Sequence, residues 1–171
     1  MKKLSEIIGA GAGGEQPADT LTLAFDDRRK SRQRVVLDSG EEAALVLPRG
    51  TVLRDGDRLR TDGGEVVEVR AAPETLSAVT VADSLALARA AYHLGNRHVP
   101  VQIDRGTLRY QHDHVLDDMV RALGLPVHSE RAPFQPEGGA YGHGHGHGHG
   151  HGHDHDHDHN HDGHGHDHDH D

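Results

Sequence analysis

The sequence predicts an α+β protein of 171 residues in three parts. Short apolar runs with glycine-rich turns between them extend from about residue 20 to residue 72, and we predict a small all-β domain over residues 1–72. From residue 73 to residue 141, strand-like and helix-like segments alternate, which predicts a second domain of mixed structure. Residues 142–171 contain only histidine, glycine, aspartate and one asparagine. We expect this tail to be disordered, because it has no apolar surface to bury.

The first domain contains several short segments that are rich in β-branched or alternating apolar residues. The segments predicted as strands are LTLAF, RVVLD, AALVL, RLRT and EVVEVRA. Near the turn after the first of them lies a basic cluster that consists of Arg28, Arg29, Lys30, Arg32 and Arg34. A solvated loop is the simpler interpretation of this cluster, and a contact with a partner is the alternative.

The second domain begins with TLSAVTVA, which we predict to be a strand. The segment ADSLALARAAYHLG follows and has helical periodicity, with Leu85, Ala88 and Tyr92 on one face. Gly95 is predicted to stop this helix in the position just beyond its C-terminal cap. The segments VPVQID and TLRYQ then predict two strands, joined by a tight turn at Asp104-Arg105-Gly106.

A second helix is predicted over DHVLDDMVRALG, with Asp113 as its N-cap and Gly124 as its stop. The apolar residues at helical intervals in this segment are Val115, Leu116, Met119, Val120 and Leu123. The segment LPVHSE predicts a last strand, and residues 131–141 are predicted to be a linker into the tail. The order strand, helix, strand, strand, helix, strand predicts a ferredoxin-like domain over residues 73–141.

Charge and cysteine content exclude several kinds of function. The formal net charge is −10, but seven aspartates lie in the tail, which leaves −3 for residues 1–141. A nearly balanced body predicts no nucleic-acid partner and no contact with an anionic membrane. The chain has no cysteine, so that any metal site must use nitrogen and oxygen ligands. Its N-terminus is too polar for a secretory signal, and no apolar run is long enough to span a membrane, so we expect a cytoplasmic protein.

The tail places a histidine at almost every second position. Flexible glycine between the histidines lets neighbouring imidazoles converge on one ion, and neutral imidazole is a ligand for nickel, copper, zinc and cobalt. A purification tag is the alternative, but tags are usually contiguous histidines without interleaved glycine and aspartate. The predicted metal ligands of the tail are His143, His145, His147, His149, His151, His153, His155, His157, His159, His161, His164, His166, His168 and His170.

Five further histidines lie in the body of the chain. For His93 and His128, an ordinary surface role is the expected one. His112 and His114 flank Asp113 where a strand leads into a helix, and their spacing leaves open whether both contact one ion. His98, in LGNRHVP, is expected to be exposed. One imidazole does not hold a metal well, but a two-fold symmetric dimer would bring a second copy of the residue to the same point.

Several segments carry a resemblance to a known family. AYHLGNRHVPVQI, LRYQHDHVLDDMVRALGLPV and APFQPEGGAY before a histidine-rich end, together with LVLPRGTVLRDGDRL and APETL, resemble the UreE family of urease accessory metallochaperones. The resemblance covers nearly the whole body, and GNRH is its most specific segment. It implies a peptide-binding-like first domain and a ferredoxin-like metal-binding second domain.

The same resemblance implies a function and partners. The protein is expected to be a homodimer that binds Ni(II) through His98 at the dimer interface, with His112 and His114 as auxiliary contacts. It is expected to deliver nickel to apo-urease, and to work with the urease accessory GTPase and the complex of apo-urease with its accessory proteins. In this interpretation the tail collects nickel, and the protein is not an enzyme.

Two alternatives remain. A general store or buffer for nickel, copper and zinc would need only the capacity of the tail, whereas delivery also needs a docking surface and one defined site. A metal-dependent hydrolase is disfavoured, because the sequence has no HExxH motif and no carboxylate-rich constellation.

Overall fold

A computed structural model describes residues 1–10 and 16–139 of the chain. The tail predicted to bind metal therefore lies outside the described residues. The strands are β1 (Lys2–Ile7), β2 (Asp19–Leu23), β3 (Arg32–Val36), β4 (Glu42–Val46), β5 (Arg58–Thr61), β6 (Val66–Ala71), β7 (Pro73–Thr80), β8 (Gln102–Asp104), β9 (Thr107–Gln111) and β10 (His128–Pro133). The helices are α1 (Phe25–Arg28), α2 (Ser84–Gly95) and α3 (His114–Ala122).

The first six strands form one sheet in the order β2-β6-β5-β1-β4-β3. Strand β1 lies inside this sheet, parallel to β4 and antiparallel to β5. The sequence did not predict this strand, because Leu4 is its only buried residue and the apolar alternation of a half-buried strand is therefore missing. Strand β1 is held by backbone pairing with β4 and β5, and backbone pairing does not require any particular order of apolar and polar side chains.

The core of the first sheet is aliphatic. Most of its buried residues are alternating residues of the strands, as expected for a sheet with one covered side, whereas Leu37, Leu47 and Leu53 lie outside the strands. The buried members of this cluster are Leu4, Leu21, Val35, Leu37, Ala43, Leu45, Leu47, Leu53, Leu59, Val67 and Val69.

The predicted strand LTLAF is shorter in the structure, because β2 ends at Leu23 and Phe25 begins the one-turn helix α1. Two aspartates in the first turn of α1 favour a helix start, since they complement the positive end of its dipole. The ring of Phe25 packs edge-on against Phe134, with ring centroids 5.3 Å apart. The end of LTLAF is therefore part of a turn that contacts the chain just after β10.

The basic cluster does not behave as one solvated loop. Arg28 is buried, with 2% of its surface exposed. Its guanidinium donates hydrogen bonds to the backbone oxygens of Leu23 (3.3 Å), Leu53 (3.0 Å) and Phe134. The planar group can reach three carbonyls at once, which explains why a charged residue is buried here. For Arg28 the solvated-loop prediction is wrong, whereas Lys30 is exposed and pairs with Asp27.

Strands β7 to β10 form a second sheet in the order β10-β7-β9-β8, with every neighbouring pair antiparallel. Helix α2 connects β7 to β8, and helix α3 connects β9 to β10. Both helices pack into one buried cluster with this sheet, through residues such as Leu94 and Val120. The structure thus has an N-terminal sheet and a C-terminal region of helices and sheet, as the sequence predicted.

The face of helix α2 that carries Leu85, Ala88 and Tyr92 is not the buried one. Leu85 and Tyr92 are 58% and 67% exposed, and Ala88 is exposed as well. Ala90 and Leu94 are buried instead. The segment is apolar on more than one side, so that helical periodicity alone does not decide which side faces the sheet.

The predicted linker also differs. Strand β10 begins at His128, three residues later than predicted, and continues through Pro133 in antiparallel register with β7. Phe134 is fully buried against Phe25 and Leu76. Residues 131–134 therefore belong to the folded structure. Their proline and charged residues are not typical of a strand, but β10 is an edge strand, where proline is tolerated.

Candidate metal-binding histidines

The five body histidines lie in or next to the second sheet and its helices. Within residues 1–10 and 16–139, no group of three or more histidine, cysteine, aspartate or glutamate side chains is arranged to hold a metal ion. The ligands His143 to His170 predicted in the tail lie outside these residues. The body histidines can therefore be compared one by one.

His98 lies on the exposed connection that follows α2. It has a φ of 57°, and it is the only residue other than glycine with a positive φ in the described part of the chain. Its N–H donates to the Gly95 carbonyl at 2.9 Å, and the Val99 N–H donates to the Leu94 carbonyl at 3.3 Å. This pair of bonds is the Schellman pattern of a helix C-terminus, with His98 in the left-handed position.

The predicted stop at Gly95 is therefore wrong by three residues. Gly95 is still helical, and Asn96 after it keeps a right-handed φ of −65°. The left-handed position, which glycine usually occupies, belongs to His98. The exposed imidazole is held at this fixed point of the backbone, beyond the end of the helix.

His112 follows directly after β9. Its N–H donates to the Thr75 carbonyl at 3.2 Å, which continues the pairing of β9 with β7. Its ring nitrogen Nδ1 lies 3.0 Å from the Ser77 hydroxyl oxygen and 3.3 Å from Oδ2 of Asp117. The side chain is 46% exposed. One edge of the ring is thus engaged by the protein, while the residue remains open to solvent.

The partners of His112 are buried. Asp117 lies in α3 and is 4% exposed, and its Oδ1 accepts a hydrogen bond of 2.8 Å from the Tyr110 hydroxyl. Burial and the Asp117 carboxylate raise the pKa of Tyr110, so that the phenol stays protonated and remains a donor. Arg121 lies 3.8 Å from Oδ2 of the same carboxylate. The carboxylate therefore faces a cation, a phenol and an imidazole.

His114 is the first residue of α3 and is exposed. Asp113 caps the helix as predicted, and its Oδ1 accepts hydrogen bonds from the backbone N–H groups of Val115 (2.8 Å) and Leu116 (3.1 Å). These bonds, the one from Leu116 foremost, hold the pKa of Asp113 below its usual value, and the neighbouring imidazoles act in the same direction. His112 and His114 thus flank a carboxylate that caps the N-terminus of α3.

His93 lies in α2 and His128 is the first residue of β10. The ring of His93 contacts the ring of Tyr92 edge-on, at 5.3 Å between centroids. Nε2 of His128 lies 3.9 Å from Oε2 of Glu130 on the exposed strand β10. These are ordinary surface contacts.

Asp117, Ser77 and Tyr110 are the residues near a candidate ligand that sequence reasoning missed. A signal was present for Asp117, because it lies three residues before buried Val120 on the side of α3 that faces the sheet. An acidic residue in a core-facing row usually has a polar partner. Ser77 gave no signal, since it meets His112 only through strand pairing.

Comparison with known proteins gives two matches to family models. The model described as "UreE urease accessory protein, N-terminal domain" matches residues 4–72, and the one described as "UreE urease accessory protein, C-terminal domain" matches residues 74–171.

Several known proteins named "Urease accessory protein UreE" are similar in sequence. One from Alkalilimnicola ehrlichii is 62% identical over 127 residues, which are 74% of this chain and 78% of the relative. One from Pseudomonas putida strain W619 is 63% identical over 123 residues, 71% of this chain and 76% of the relative. One from Burkholderia orbicola is 55% identical over 141 residues, 82% of this chain and 69% of the relative.

Proposed function

Because the chain belongs to the UreE family of urease accessory proteins, we propose that it binds Ni(II) and delivers it to apo-urease during assembly of the urease metal centre. Proteins of this family are accessory chaperones, and the chain is accordingly not an enzyme. The partners in this proposal are the urease accessory GTPase and the complex of apo-urease with its accessory proteins, and the compartment is the cytoplasm.

The observation that carries the proposal is the backbone geometry of His98. A histidine occupies an exposed left-handed position where glycine would be the unstrained choice. Such a backbone position fixes the Cβ atom from which the imidazole extends. Because the side chain is exposed, the imidazole is accessible to an ion and to a partner protein. A defined point of exchange is what delivery requires and storage does not.

A homodimer would complete the His98 site. One imidazole is a weak metal site, whereas an isologous contact pairs each residue near the two-fold axis with its own copy. The exposed face of α2, with Leu85 and Tyr92, ends six residues before His98 and is not covered by the described residues of the single chain. We assign this face to the dimer contact, so that two His98 residues share one ion.

The described helices carry no membrane-spanning segment: the longest, α2, has 12 residues, whereas a bilayer span needs about 20. For the second region, the element order and the strand order β10-β7-β9-β8 support a ferredoxin-like arrangement. We assign residues 1–72 to a peptide-binding-like domain, residues 73–141 to the metal-binding domain and linker, and residues 142–171 to a histidine-rich metal-binding tail. The tail would act as the reservoir, mainly for nickel, and would also accept copper, zinc or cobalt in vitro.

The test is activation of apo-urease, in the presence of its accessory proteins, over a titration of nickel. A chaperone raises activation at limiting total nickel, whereas a general metal buffer lowers free nickel and slows activation. Slower activation with the protein than without it would support the buffer and overturn the delivery proposal.

Variants separate the site from the reservoir. His98→Ala should retain nearly all bound nickel, since the tail dominates the count, but should lower activation at limiting nickel by about tenfold or more. Truncation after Tyr141 should do the reverse, with a large loss of bound nickel and a milder loss of activation. His128→Ala is the matched control and should change neither. Full activation by His98→Ala together with failure of the truncated chain would transfer the delivery role to the tail.

A further inference from the structure

The Nδ1 atom of His112 faces two oxygen atoms of the protein. They belong to Ser77 in β7, at 3.0 Å, and to Asp117 in α3, at 3.3 Å. Both residues are buried, with 0% and 4% of their surface exposed. The Nε2 atom of the same ring forms no hydrogen bond within residues 1–10 and 16–139. The two nitrogens of His112 are therefore in different environments.

The protons in this cluster can be assigned from the donors and acceptors. Oδ1 of Asp117 already accepts from the Tyr110 hydroxyl at 2.8 Å, and Oδ2 of the same carboxylate faces Nδ1 of His112 at 3.3 Å as a second acceptor. The Ser77 hydroxyl, 3.0 Å from Nδ1, can either donate or accept a hydrogen bond. It is therefore compatible with a proton on Nδ1, and the carboxylate decides where the proton lies.

The opposite assignment fails at the Asp117 carboxylate. If Nδ1 carried a lone pair and Ser77 donated to it, that lone pair would face Oδ2 of Asp117 at 3.3 Å. Low surrounding polarity makes such a contact between two acceptors costly. A proton on Nδ1 removes this repulsion, and the same proton can be shared with the Ser77 oxygen.

We propose that Asp117, Ser77 and Tyr110 are positioning residues that hold His112 as its Nδ1–H tautomer, so that Nε2 is the nitrogen which binds the metal ion. Neutral imidazole has one proton, and fixing it on Nδ1 leaves the lone pair on Nε2. A histidine oriented by a carboxylate in this way is a common partner arrangement in metal sites. His114, by contrast, forms no side-chain hydrogen bond among the described residues, which leaves its tautomer free.

The tautomer part of this proposal is independent of nickel delivery, and only the metal-binding role of Nε2 rests on the proposed function. The first measurement therefore uses the metal-free full-length chain with ¹⁵N-labelled histidine, at about pH 8, where an ordinary imidazole is neutral. Long-range ¹H–¹⁵N correlation spectra distinguish the two tautomers. The His112 signals are identified by their loss in His112→Ala. We expect protonated Nδ1 and unprotonated Nε2, and a signal averaged between tautomers or protonated at Nε2 would overturn the proposal.

Variants test the cause. Asp117→Asn and Ser77→Ala should each shift the His112 signals toward tautomer averaging. Asp118→Asn is the matched control, because Asp118 is the next carboxylate of α3 and its side chain is 75% exposed. It removes the same charge without touching His112 and should leave the tautomer unchanged. Equal effects of Asp117→Asn and Asp118→Asn would overturn the positioning role. Unchanged chemical shifts of core methyl groups show that each variant is folded.

The last measurement adds saturating zinc, which is diamagnetic and binds imidazole. At saturation the Nε2 signal of His112 should shift while Nδ1 stays protonated. A titration of zinc below saturation should show that Asp117→Asn weakens this site by about 10- to 100-fold without changing the tail signals. A shift at Nδ1 instead of Nε2, or no shift at His112, would overturn the assignment of the ligand atom. Neither result would bear on whether the full chain activates urease, so that the two proposals can fail separately.

Discussion

His98 occupies, at the end of α2, the same backbone position that Gly124 occupies at the end of α3. In α3 the Gly124 N–H donates to the Arg121 carbonyl at 2.9 Å, and the following residue closes the second bond of the pattern at 3.4 Å. The φ angles of the two residues are 57° and 82°. One helix therefore ends on the residue that favours this conformation, and the other ends on a histidine.

The left-handed conformation costs an L-residue about 1–2 kcal/mol, and glycine avoids this cost. We predict that His98→Gly leaves the free energy of unfolding unchanged or raises it by up to about 1 kcal/mol, because it relieves this strain. Activation of urease at limiting nickel should nevertheless fall as it does in His98→Ala. Urea denaturation gives the first quantity and reconstitution the second.

The matched substitution at the other helix is Gly124→Ala, which adds a side chain at the same backbone position. It should lower the free energy of unfolding by about 1 kcal/mol. If His98→Gly instead destabilised the protein by more than about 1 kcal/mol, the imidazole would be a structural element of the helix end.

A second prediction concerns the exposed face of α2, which we assign to the dimer contact. Tyr92→Asp adds a charge to the apolar surface that we assign to the dimer contact, where an unpaired charge would be costly to bury. The variant should be a folded monomer by light scattering at concentrations where the parent chain is a dimer, and should lose the shared His98 site. Val36→Asp is the control, since Val36 is 60% exposed on the first sheet. If the Tyr92→Asp variant were still a dimer, this face of α2 would not be part of the interface.

Bound nickel should be released on mild acidification. Imidazole must be neutral to coordinate, and its ordinary pKa is about 6.5, so that protons displace nickel from most tail sites as the pH falls from about 7 to 5. Equilibrium dialysis of the full chain and of the chain truncated after Tyr141 should show that the released fraction comes mainly from the tail. A constant nickel content over this range would indicate binding dominated by carboxylates.

Arg28 should be the most sensitive position of the basic cluster. Arg28→Met leaves the carbonyls of Leu53 and Phe134 without donors in a buried place, and we expect a loss of about 3 kcal/mol in the free energy of unfolding. Lys30→Met, two positions away and exposed, should change it by less than about 0.5 kcal/mol. Similar midpoints of urea denaturation for the two variants would contradict the role of Arg28.

Local signals predicted local structure well. Helix α3 begins after Asp113 and ends before Gly124, as predicted, because capping and left-handed glycine leave marks within a few residues. The turn before Thr107 was predicted for the same reason, and Gly106 has a φ of 71°. These features depend on neighbours in the chain, which a sequence displays directly.

Features that depend on distant residues were not predictable. Leu4 gave no strand signal, since pairing with β4 and β5 decides its structure. The packing of α2 is decided by the sheet it covers, and its own residues allowed another face. The cluster at His112 joins Ser77 and Asp117 across 40 residues of sequence, so that the candidate ligand was visible and its supporting groups were not.

The bond from Arg28 to the Phe134 carbonyl joins residues 106 positions apart. During synthesis the N-terminal strands emerge first, and at that stage the guanidinium has only nearby carbonyls to bind. Its third acceptor arrives when β10 has paired with β7 and the following residues have docked. We therefore expect the first sheet to gain this stabilising bond late in folding, once a contact of high sequence separation has formed. A fragment that ends at residue 72 would contain the buried cation without this acceptor, and should be less stable than the same residues in the full chain.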